Sequence, residues 1–162
     1  MKVINFCLFL LLGLTACNNS SAEKVAVNPV AQKAIDQKLI LEYAKAQGLE
    51  GSITPSGMFF AIEKEGEGAS AKNLGASAEV VAHYHGTFLD GKLFDSSVKK
   101  GKPFEFKLNG VIKGWGEAIR LLNKGGKGTF LIPSHLAYGA KGYPGAIPPN
   151  AVLRFEIELL EF

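Results

Sequence analysis

The sequence predicts an α+β domain: an antiparallel sheet of about five strands wraps around one short helix and is preceded by a single amphipathic helix. Between residues 58 and 162, apolar and polar residues alternate in several short segments, as in strands with one buried face. A segment around Trp115 instead repeats its apolar residues at helical spacing, and a longer segment of this kind lies between residues 28 and 48. One short helix among several strands favours a sheet that encloses that helix.

The first helix is predicted to begin after Asn28, whose side chain can cap it, and Pro29 suits the first helical position because it lacks an N–H. Gly48 can end the helix in a left-handed conformation, which leaves roughly five turns. We expect its apolar stripe to be buried against the domain that follows, and burial against a second copy in a homodimer is the alternative. The stripe consists of Ile35, Leu39, Tyr43 and Ala46, widened by Ile40, Leu41 and Ala44.

Three strands are expected before the short helix. Residues 58–64 and 79–89 form the first two because their apolar residues recur at every second position. Asp90-Gly91 then predicts a two-residue hairpin turn in which both residues have positive φ. A third strand is predicted over 104–108, where Phe and Leu alternate with charged residues.

The short helix and two further strands complete the domain. Trp115, Ile119 and Leu122 lie on one face of the predicted helix, which ends at Gly125-Gly126. Strands are predicted over 127–133 and 153–159. The buried side of the last strand is expected to carry Leu153, Phe155, Ile157 and Leu159.

The amino terminus has the features of an export signal. A basic start is followed by a short apolar run that is too short to span a bilayer permanently, and small residues precede Cys17. Leu-Thr-Ala-Cys at 14–17 resembles a bacterial lipobox, which implies cleavage before Cys17 and a lipid on that cysteine; an ordinary signal peptide is the alternative. The predicted organisation is a signal peptide at 1–16, a tether at 17–27, a helix and linker at 28–57 and the main domain at 58–162.

Cysteine count and charge exclude several classes of protein. Cys7 lies in the segment that would be removed, so the mature chain would have no internal disulfide and no thiolate metal site. The chain has 18 basic and 15 acidic residues, a formal net charge of +3, with both signs interspersed. Such a surface does not indicate a nucleic-acid partner.

Two candidate ligand sites are weak. His83 and His85 are two apart on a predicted strand and so face the same side, but His135 is the only other histidine. Gly125 to Thr129 lacks the Ser or Thr that a phosphate-binding loop requires directly after its Lys. We therefore expect neither a metal nor a cofactor.

The most specific pattern in the chain is its carboxy-terminal part. Residues 132–150 combine Pro144, Pro148 and Pro149 with several glycines, which predicts an ordered loop instead of a helix. This loop and the strand after it resemble the C-terminal half of the FK506-binding-protein (FKBP) family of peptidyl-prolyl cis-trans isomerases. The resemblance extends to residues 81–87, 90–97, 102–106 and 111–115.

The resemblance implies the FKBP fold and a prolyl pocket with two groups of residues. Trp115 would form its floor, the Ile112 N–H would hold a substrate carbonyl, and Asp95 would be the single buried acid. The full catalytic group would be Asp95, Tyr138, Trp115, Phe94 and Ile112. The substrate-binding group would be Tyr84, Phe104, Val111, Tyr143, Ile147 and Phe155.

The activity that the resemblance implies is cis-trans isomerisation of X–Pro bonds during the folding of exported or envelope proteins. The partners would be unfolded, proline-containing polypeptides, with macrolide inhibitors of the FK506 type as a further ligand class. Lys100, Ala146 and Tyr143 depart from common family residues, which affects affinity for such inhibitors. A holdase chaperone with the same fold and little catalysis is the alternative. With the lipid on Cys17, the expected location is the cell envelope, on an outer membrane facing the periplasm or the cell surface.

Overall fold

The structure, a computed structural model, describes residues 28–162. The predicted signal peptide, Cys17 and the tether lie outside the described residues. The two α-helices are α1 (Pro29–Ala46) and α2 (Lys113–Arg120). The strands are β1 (Ser52–Ile53), β2 (Phe59–Lys64), β3 (Glu79–Phe88), β4 (Leu93–Ser96), β5 (Phe104–Lys107), β6 (Lys127–Ile132) and β7 (Leu153–Glu161).

The strands of residues 28–162 form one antiparallel sheet in the order β1-β2-β6-β7-β3-β4, with β5 also paired to β3. The α+β fold class is confirmed, and the predicted number of about five strands is too low by two. The additional strands are β1, with two residues, and β4, with four. A strand of this length shows too little alternation to be recognised from sequence.

The main core lies on the face of the sheet that α2 covers. Phe130 and Ile132 of β6 point to this side together with Trp115 and Ile119 of α2, and all four are buried. The intervening residue, Leu131, points to the opposite side because side chains alternate along a strand. We call these two sides of the sheet the α2 face and the α1 face. In β7 the predicted buried residues Leu153, Phe155, Ile157 and Leu159 all lie in the main core.

Helix α2 ends earlier than the sequence predicts. Its last residue is Arg120, so Leu122 is buried beyond the helix instead of on its last turn. The chain leaves the helix there because it pairs with the segment before β3: the Leu122 carbonyl accepts from the Ala71 N–H at 3.1 Å. This long-range pairing ends the helix before the glycines at 125 and 126 are reached.

Helix α1 packs on the α1 face through only part of the predicted stripe. Asn28 caps the helix and Gly48 has φ 63°, as predicted. Its buried residues, however, are Asp36, Ile40 and Ala44, whereas Ile35 is 46% exposed and Leu39 is 41% exposed. The prediction was right for Ile40 and Ala44, which widened the predicted stripe, and wrong for Ile35 and Leu39. The buried stripe is displaced because an acid lies at its centre, and a hydrophobic pattern assigns an acid to solvent. The apolar partners of this face are Phe59, Ala61, Leu131 and Val152.

The turn between β3 and β4 also differs from the prediction. Gly91 has φ 84°, but Asp90 does not have positive φ, because the only non-glycine residue in 28–162 with positive φ is Asn150. Four residues, 89–92, connect the strands, and the Asp90 carboxylate accepts from the Lys92 N–H at 2.9 Å. With this side-chain hydrogen bond and a longer connection, only the glycine needs a left-handed conformation.

Neither helix of residues 28–162 has the length and apolar content needed to cross a membrane.

Candidate active site

A pocket of about 520 Å³ opens between the α2 face of the sheet, the start of α2 and the proline-rich loop. All eleven residues that the sequence analysis assigned to a site line it, so the fold brings both predicted groups together. Two further lining residues, Gly110 and Ala146, were not among them. Neither has a side chain that would mark it as a site residue, and Ala146 was noted only because it departs from the common family residue. The lining residues are Tyr84, Phe94, Asp95, Phe104, Gly110, Val111, Ile112, Trp115, Tyr138, Tyr143, Ala146, Ile147 and Phe155.

The floor of the pocket is an aromatic cluster centred on Trp115. The Trp115 ring meets the rings of Tyr84, Phe106 and Phe155 edge to face, at centroid distances of 5.1, 5.2 and 5.4 Å. Edge-to-face contacts of this kind stabilise a pair by roughly 0.5–1.5 kcal/mol beyond the area they bury. Three such contacts fix the indole in one orientation, so the floor is preformed.

Phe94 forms a wall of the pocket, and a glycine allows it to lie there. The ring centroids of Phe94 and Phe155 are 5.4 Å apart at an interplanar angle of 84°. A Cβ at Gly86 on β3 would lie 2.7 Å from the Phe94 ring and 2.9 Å from the Phe155 ring. Gly86 had no predicted role, although a glycine inside a strand is a recognised sign of close approach.

Asp95 is the acid of the pocket and has three hydrogen-bond donors. The Tyr84 hydroxyl donates to Oδ2 at 2.5 Å, the Ser96 N–H donates to Oδ1 at 2.8 Å, and Lys100 Nζ lies 2.5 Å from Oδ1. Burial raises the pKa of Asp95, but the hydrogen bonds from Lys100, Tyr84 and Ser96 and the Lys100 charge outweigh it, so the pKa is lowered. The carboxyl is therefore ionised at neutral pH, and it accepts hydrogen bonds without donating any.

The expectation that Asp95 is the single buried acid is wrong. Its side chain is 40% exposed, because β4 lies at the rim of the pocket and Lys100 approaches from solvent. The fully buried acid is Asp36 on α1, on the other face of the sheet. No sequence pattern pointed to it.

The two pocket tyrosines keep their protons. Burial raises the pKa of Tyr84, and the hydrogen bond to Asp95 and its charge raise it further. Burial also raises the pKa of Tyr138, with smaller contributions from Tyr143 and from the Asp95 charge. Within residues 28–162 the Tyr138 hydroxyl has no hydrogen-bond partner, so it is a donor available to a ligand.

Ile112 presents a backbone donor at the pocket. It is the residue before α2, with φ −58° and ψ 150°, and its carbonyl accepts from the Trp115 N–H at 3.0 Å. The Ile112 N–H itself has no backbone partner among residues 28–162. Because Ile112 directly precedes α2 and Trp115 lies in the first turn of that helix, the free N–H and the aromatic floor have a fixed relative position.

The proline-rich loop covers the pocket as an ordered flap, defined here as residues 137–150. Tyr143 and Ile147 exchange two backbone hydrogen bonds of 2.8 Å, and the Asn150 N–H donates to the Gly139 carbonyl at 2.8 Å. Gly142 has φ 63°, and a Cβ there would lie 2.4 Å from the Ile147 carbonyl oxygen. These bonds give the flap one backbone conformation, with Ile147 buried and Tyr143 exposed.

The histidines are engaged in hydrogen bonds. His83 Nδ1 lies 3.0 Å from Ser97 Oγ, and His85 Nδ1 lies 3.2 Å from Ser96 Oγ. In the described part of the chain, no group of three His, Cys, Asp or Glu side chains is arranged to hold a metal ion. The pocket lining also contains no Ser, Cys, Thr or Lys that would act as a nucleophile. The chemistry that this site supports is therefore non-covalent binding of an apolar group with one carbonyl.

A preformed aromatic pocket with a free N–H and a flap defines the class of protein. The family model for FKBP-type peptidyl-prolyl cis-trans isomerases matches residues 70–160. The chain belongs to this family.

Several relatives are similar over most of the chain. The probable FKBP-type peptidyl-prolyl cis-trans isomerase of Haemophilus influenzae is 41% identical over 143 residues, which are 87% of this chain and 57% of that protein. FkpA of Escherichia coli K12 is 39% identical over 88% of this chain and 51% of its own length. The chain thus spans about half the length of these curated relatives.

Solved structures agree with the fold. The crystal structure of FkpA from Escherichia coli matches with a TM-score of 0.70 and 39% identity, over 82% of this chain and 59% of that one. The crystal structure of AtFKBP13 matches with a TM-score of 0.62 and 38% identity, over 68% of this chain and 97% of that one. The FKBP-like fold predicted from the sequence is confirmed.

Proposed function

We infer that this protein is a peptidyl-prolyl cis-trans isomerase that acts on proline-containing, unfolded polypeptides. The observation that carries this proposal is the Trp115 floor, a buried flat indole ring on which a proline ring can lie, enclosed by Tyr84, Phe94 and Phe155. Family membership supports it further.

The mechanism requires no covalent step. Rotation about an X–Pro bond must break amide resonance, which costs roughly 20 kcal/mol and makes the uncatalysed reaction take tens of seconds or more. The twisted amide has less charge separation than either planar isomer, so an apolar pocket disfavours the planar forms relative to it. Each tenfold gain in rate needs about 1.4 kcal/mol of such preference.

The polar groups of the site orient the substrate. The Ile112 N–H would donate to the substrate carbonyl oxygen, and the Tyr138 hydroxyl would donate to a second carbonyl from the flap side. Asp95 holds the Tyr84 hydroxyl at 2.5 Å and so keeps that ring against Trp115. Because Asp95 is ionised and both tyrosines are neutral at pH 7, the arrangement needs no proton exchange.

The proposed setting is the bacterial cell envelope, with Cys17 as the lipid attachment site. This proposal rests on the amino-terminal sequence, in which small residues precede Cys17 and a polar tether follows it. Two or three acyl chains hold a protein on a bilayer far more firmly than one. The test is Cys17→Ser with labelled palmitate and membrane fractionation: label and membrane association should both be lost, and their persistence would place the anchor elsewhere.

The isomerase proposal is tested with the soluble chain from residue 18 onwards in a protease-coupled assay on an Ala-Leu-Pro-Phe peptide. The isomerisation rate is expected to rise linearly with enzyme concentration. FK506 is expected to inhibit it, and the inhibition constant will show how far Lys100, Ala146 and Tyr143 change the affinity for such inhibitors. A chain that prevents aggregation of an unfolded protein but leaves the isomerisation rate unchanged would be a holdase and would contradict the proposal.

A further inference from the structure

Asp36 is an unusual residue in a helix-to-sheet contact. It lies in the middle of α1, its side chain is 0% exposed, and its neighbours on the buried face of the helix are Ile40 and Ala44. A carboxylate in such a position is costly unless several donors surround it. The contacts of Asp36 therefore indicate why an acid occupies this place.

Three donors satisfy the Asp36 carboxylate. The Ser134 N–H and the Ser134 hydroxyl both donate to Oδ2, at 2.8 and 2.6 Å. Gln32, one turn earlier on α1, donates from Nε2 to Oδ1 at 2.7 Å. Hydrogen bonds to a charged acceptor are shorter and about twice as strong as neutral ones. Two of the three bonds go to one residue, 98 positions away in the sequence.

Ser134 is the point from which the flap departs. It begins a short 3₁₀ turn, Ser134–Leu136, one residue after the end of β6, and its carbonyl accepts from the Ala137 N–H at 3.0 Å. Tyr138 follows immediately and lines the pocket. A shift of the Ser134 backbone is therefore transmitted over four residues to the Tyr138 ring.

A second contact ties this junction to α2, which carries the pocket floor. His135 Nε2 lies 3.1 Å from the Ser56 carbonyl oxygen, and the Ser56 hydroxyl donates to the Glu117 carboxylate at 2.7–2.8 Å. Glu117 is two residues after Trp115. The root of the flap is thus held between α1 on one side and α2 on the other.

We propose that Asp36 is a positioning residue of the active site: through its two hydrogen bonds to Ser134 it fixes the root of the flap, and with it Tyr138 above the Trp115 floor. Helix α1 then belongs to the isomerase unit, although it lies on the opposite face of the sheet from the pocket. This proposal rests on the proposed function. An apolar residue would secure the helix equally well, since buried ionic contacts are often no more stabilising than apolar packing, but it would not orient Ser134.

The main test compares Asp36→Leu with Asp36→Asn in the chain from residue 18 onwards. Leucine has nearly the shape of aspartate and accepts no hydrogen bond, so we expect kcat/KM to fall about tenfold, mainly through kcat, as for a displaced catalytic group. Asparagine still offers an oxygen to Ser134 once the Gln32 amide turns over, and should restore most of the rate. Glu42→Leu, at an exposed acid of the same helix, is the matched control and should leave the rate unchanged.

A double-mutant cycle with Tyr138→Phe separates positioning from a general loss of stability. If Asp36 acts through Tyr138, the effect of Asp36→Leu on kcat/KM should largely disappear once the hydroxyl is gone. Multiplicative effects of the two substitutions, or a folded Asp36→Leu variant with the wild-type rate, would overturn the proposal. Should Asp36→Leu fail to fold, Ser134→Ala replaces it in the cycle, since it removes only the hydroxyl donor.

A measurement without substrate distinguishes this proposal from the proposed function. With 3-fluorotyrosine at the four tyrosines, the Tyr138 ¹⁹F resonance is assigned by its absence in Tyr138→Phe. Asp36→Leu should shift or broaden that resonance and Glu42→Leu should not. An inactive wild type would remove the isomerase proposal alone, whereas an unchanged Tyr138 resonance in Asp36→Leu would overturn the positioning role whatever the activity.

Discussion

The two faces of the sheet are stabilised by different means. On the α2 face, rings of Tyr84, Phe94, Phe155 and Trp115 contact one another edge to face and leave a pocket open between them. On the α1 face, the helix lies flat on Phe59, Ala61 and Leu131 around a fully buried carboxylate. Aromatic packing gives a ligand a rigid apolar surface. The buried carboxylate instead forms directional hydrogen bonds, which fix the position of the residue that donates them, Ser134. The α2 face therefore forms the pocket. In the role proposed for Asp36, the α1 face holds one pocket residue, Tyr138, in position.

The largest effect on stability is expected from a substitution that removes packing from the α1 face. Ile40 is fully buried on the sheet-facing side of α1, so Ile40→Ala should lower the free energy of unfolding by about 3 kcal/mol through the lost burial and the cavity left behind. Ile35→Ala on the same helix removes the same atoms from a residue that is 46% exposed and should cost less than about 1 kcal/mol. Urea unfolding measures both. Equal losses would mean that Ile35 is as deeply buried as Ile40, as the predicted stripe requires, and would contradict the packing described for α1.

The second largest effect is expected from a substitution that adds a methyl group to the closely packed α2 face. Gly86→Ala places a methyl group 2.7 Å from the Phe94 ring, and the displaced rings should cost about 2 kcal/mol of stability and reduce activity. Gly75→Ala is the matched control, because a Cβ there has no atom within 4 Å and the backbone does not need positive φ. Thermal unfolding and the peptide assay together check this. A Gly86→Ala protein as stable and active as the control would show that the rings can move apart freely.

A smaller effect concerns the pocket wall alone. Phe94→Ala should lower kcat/KM at least about tenfold while the domain stays folded, because the proline ring loses a wall and water enters the site. Phe162→Ala, at an exposed phenylalanine outside the pocket, should leave the rate unchanged. Circular dichroism confirms folding in both. Full activity in a folded Phe94→Ala protein would remove Phe94 from the site.

The smallest effect is a pH dependence at the rim. The folded state lowers the pKa of Asp95, so its stabilising contribution is complete above the unfolded pKa of about 4 and is lost as the pH falls through the lowered folded value. Asp95→Asn should therefore reduce the melting temperature more at pH 6 than at pH 2.5, by a small amount because the group is partly exposed to solvent. A difference from wild type that stays constant over this range would show that ionisation of Asp95 contributes nothing.

Much of the α2 face was predictable from the sequence, because its signals are local. Strand alternation in β7 and the helical spacing around Trp115 both depend on residues within a few positions of one another. The pocket residues were identified together through the resemblance of several ordered segments to one family, and the fold places all of them around one cavity.

Tertiary structure alone decided the features that depend on distant partners. Asp36 is buried because Ser134, 98 residues later, offers two donors, and no pattern within α1 contains that information. Helix α2 stops at Arg120 because Leu122 pairs with Ala71, and Gly86 is needed because two rings from other strands meet above it. Hydrophobic periodicity reports how a segment divides between water and protein, so it predicts which face is buried when apolar residues cover it. It cannot predict a polar group whose desolvation is compensated by a donor that only the folded chain brings into contact.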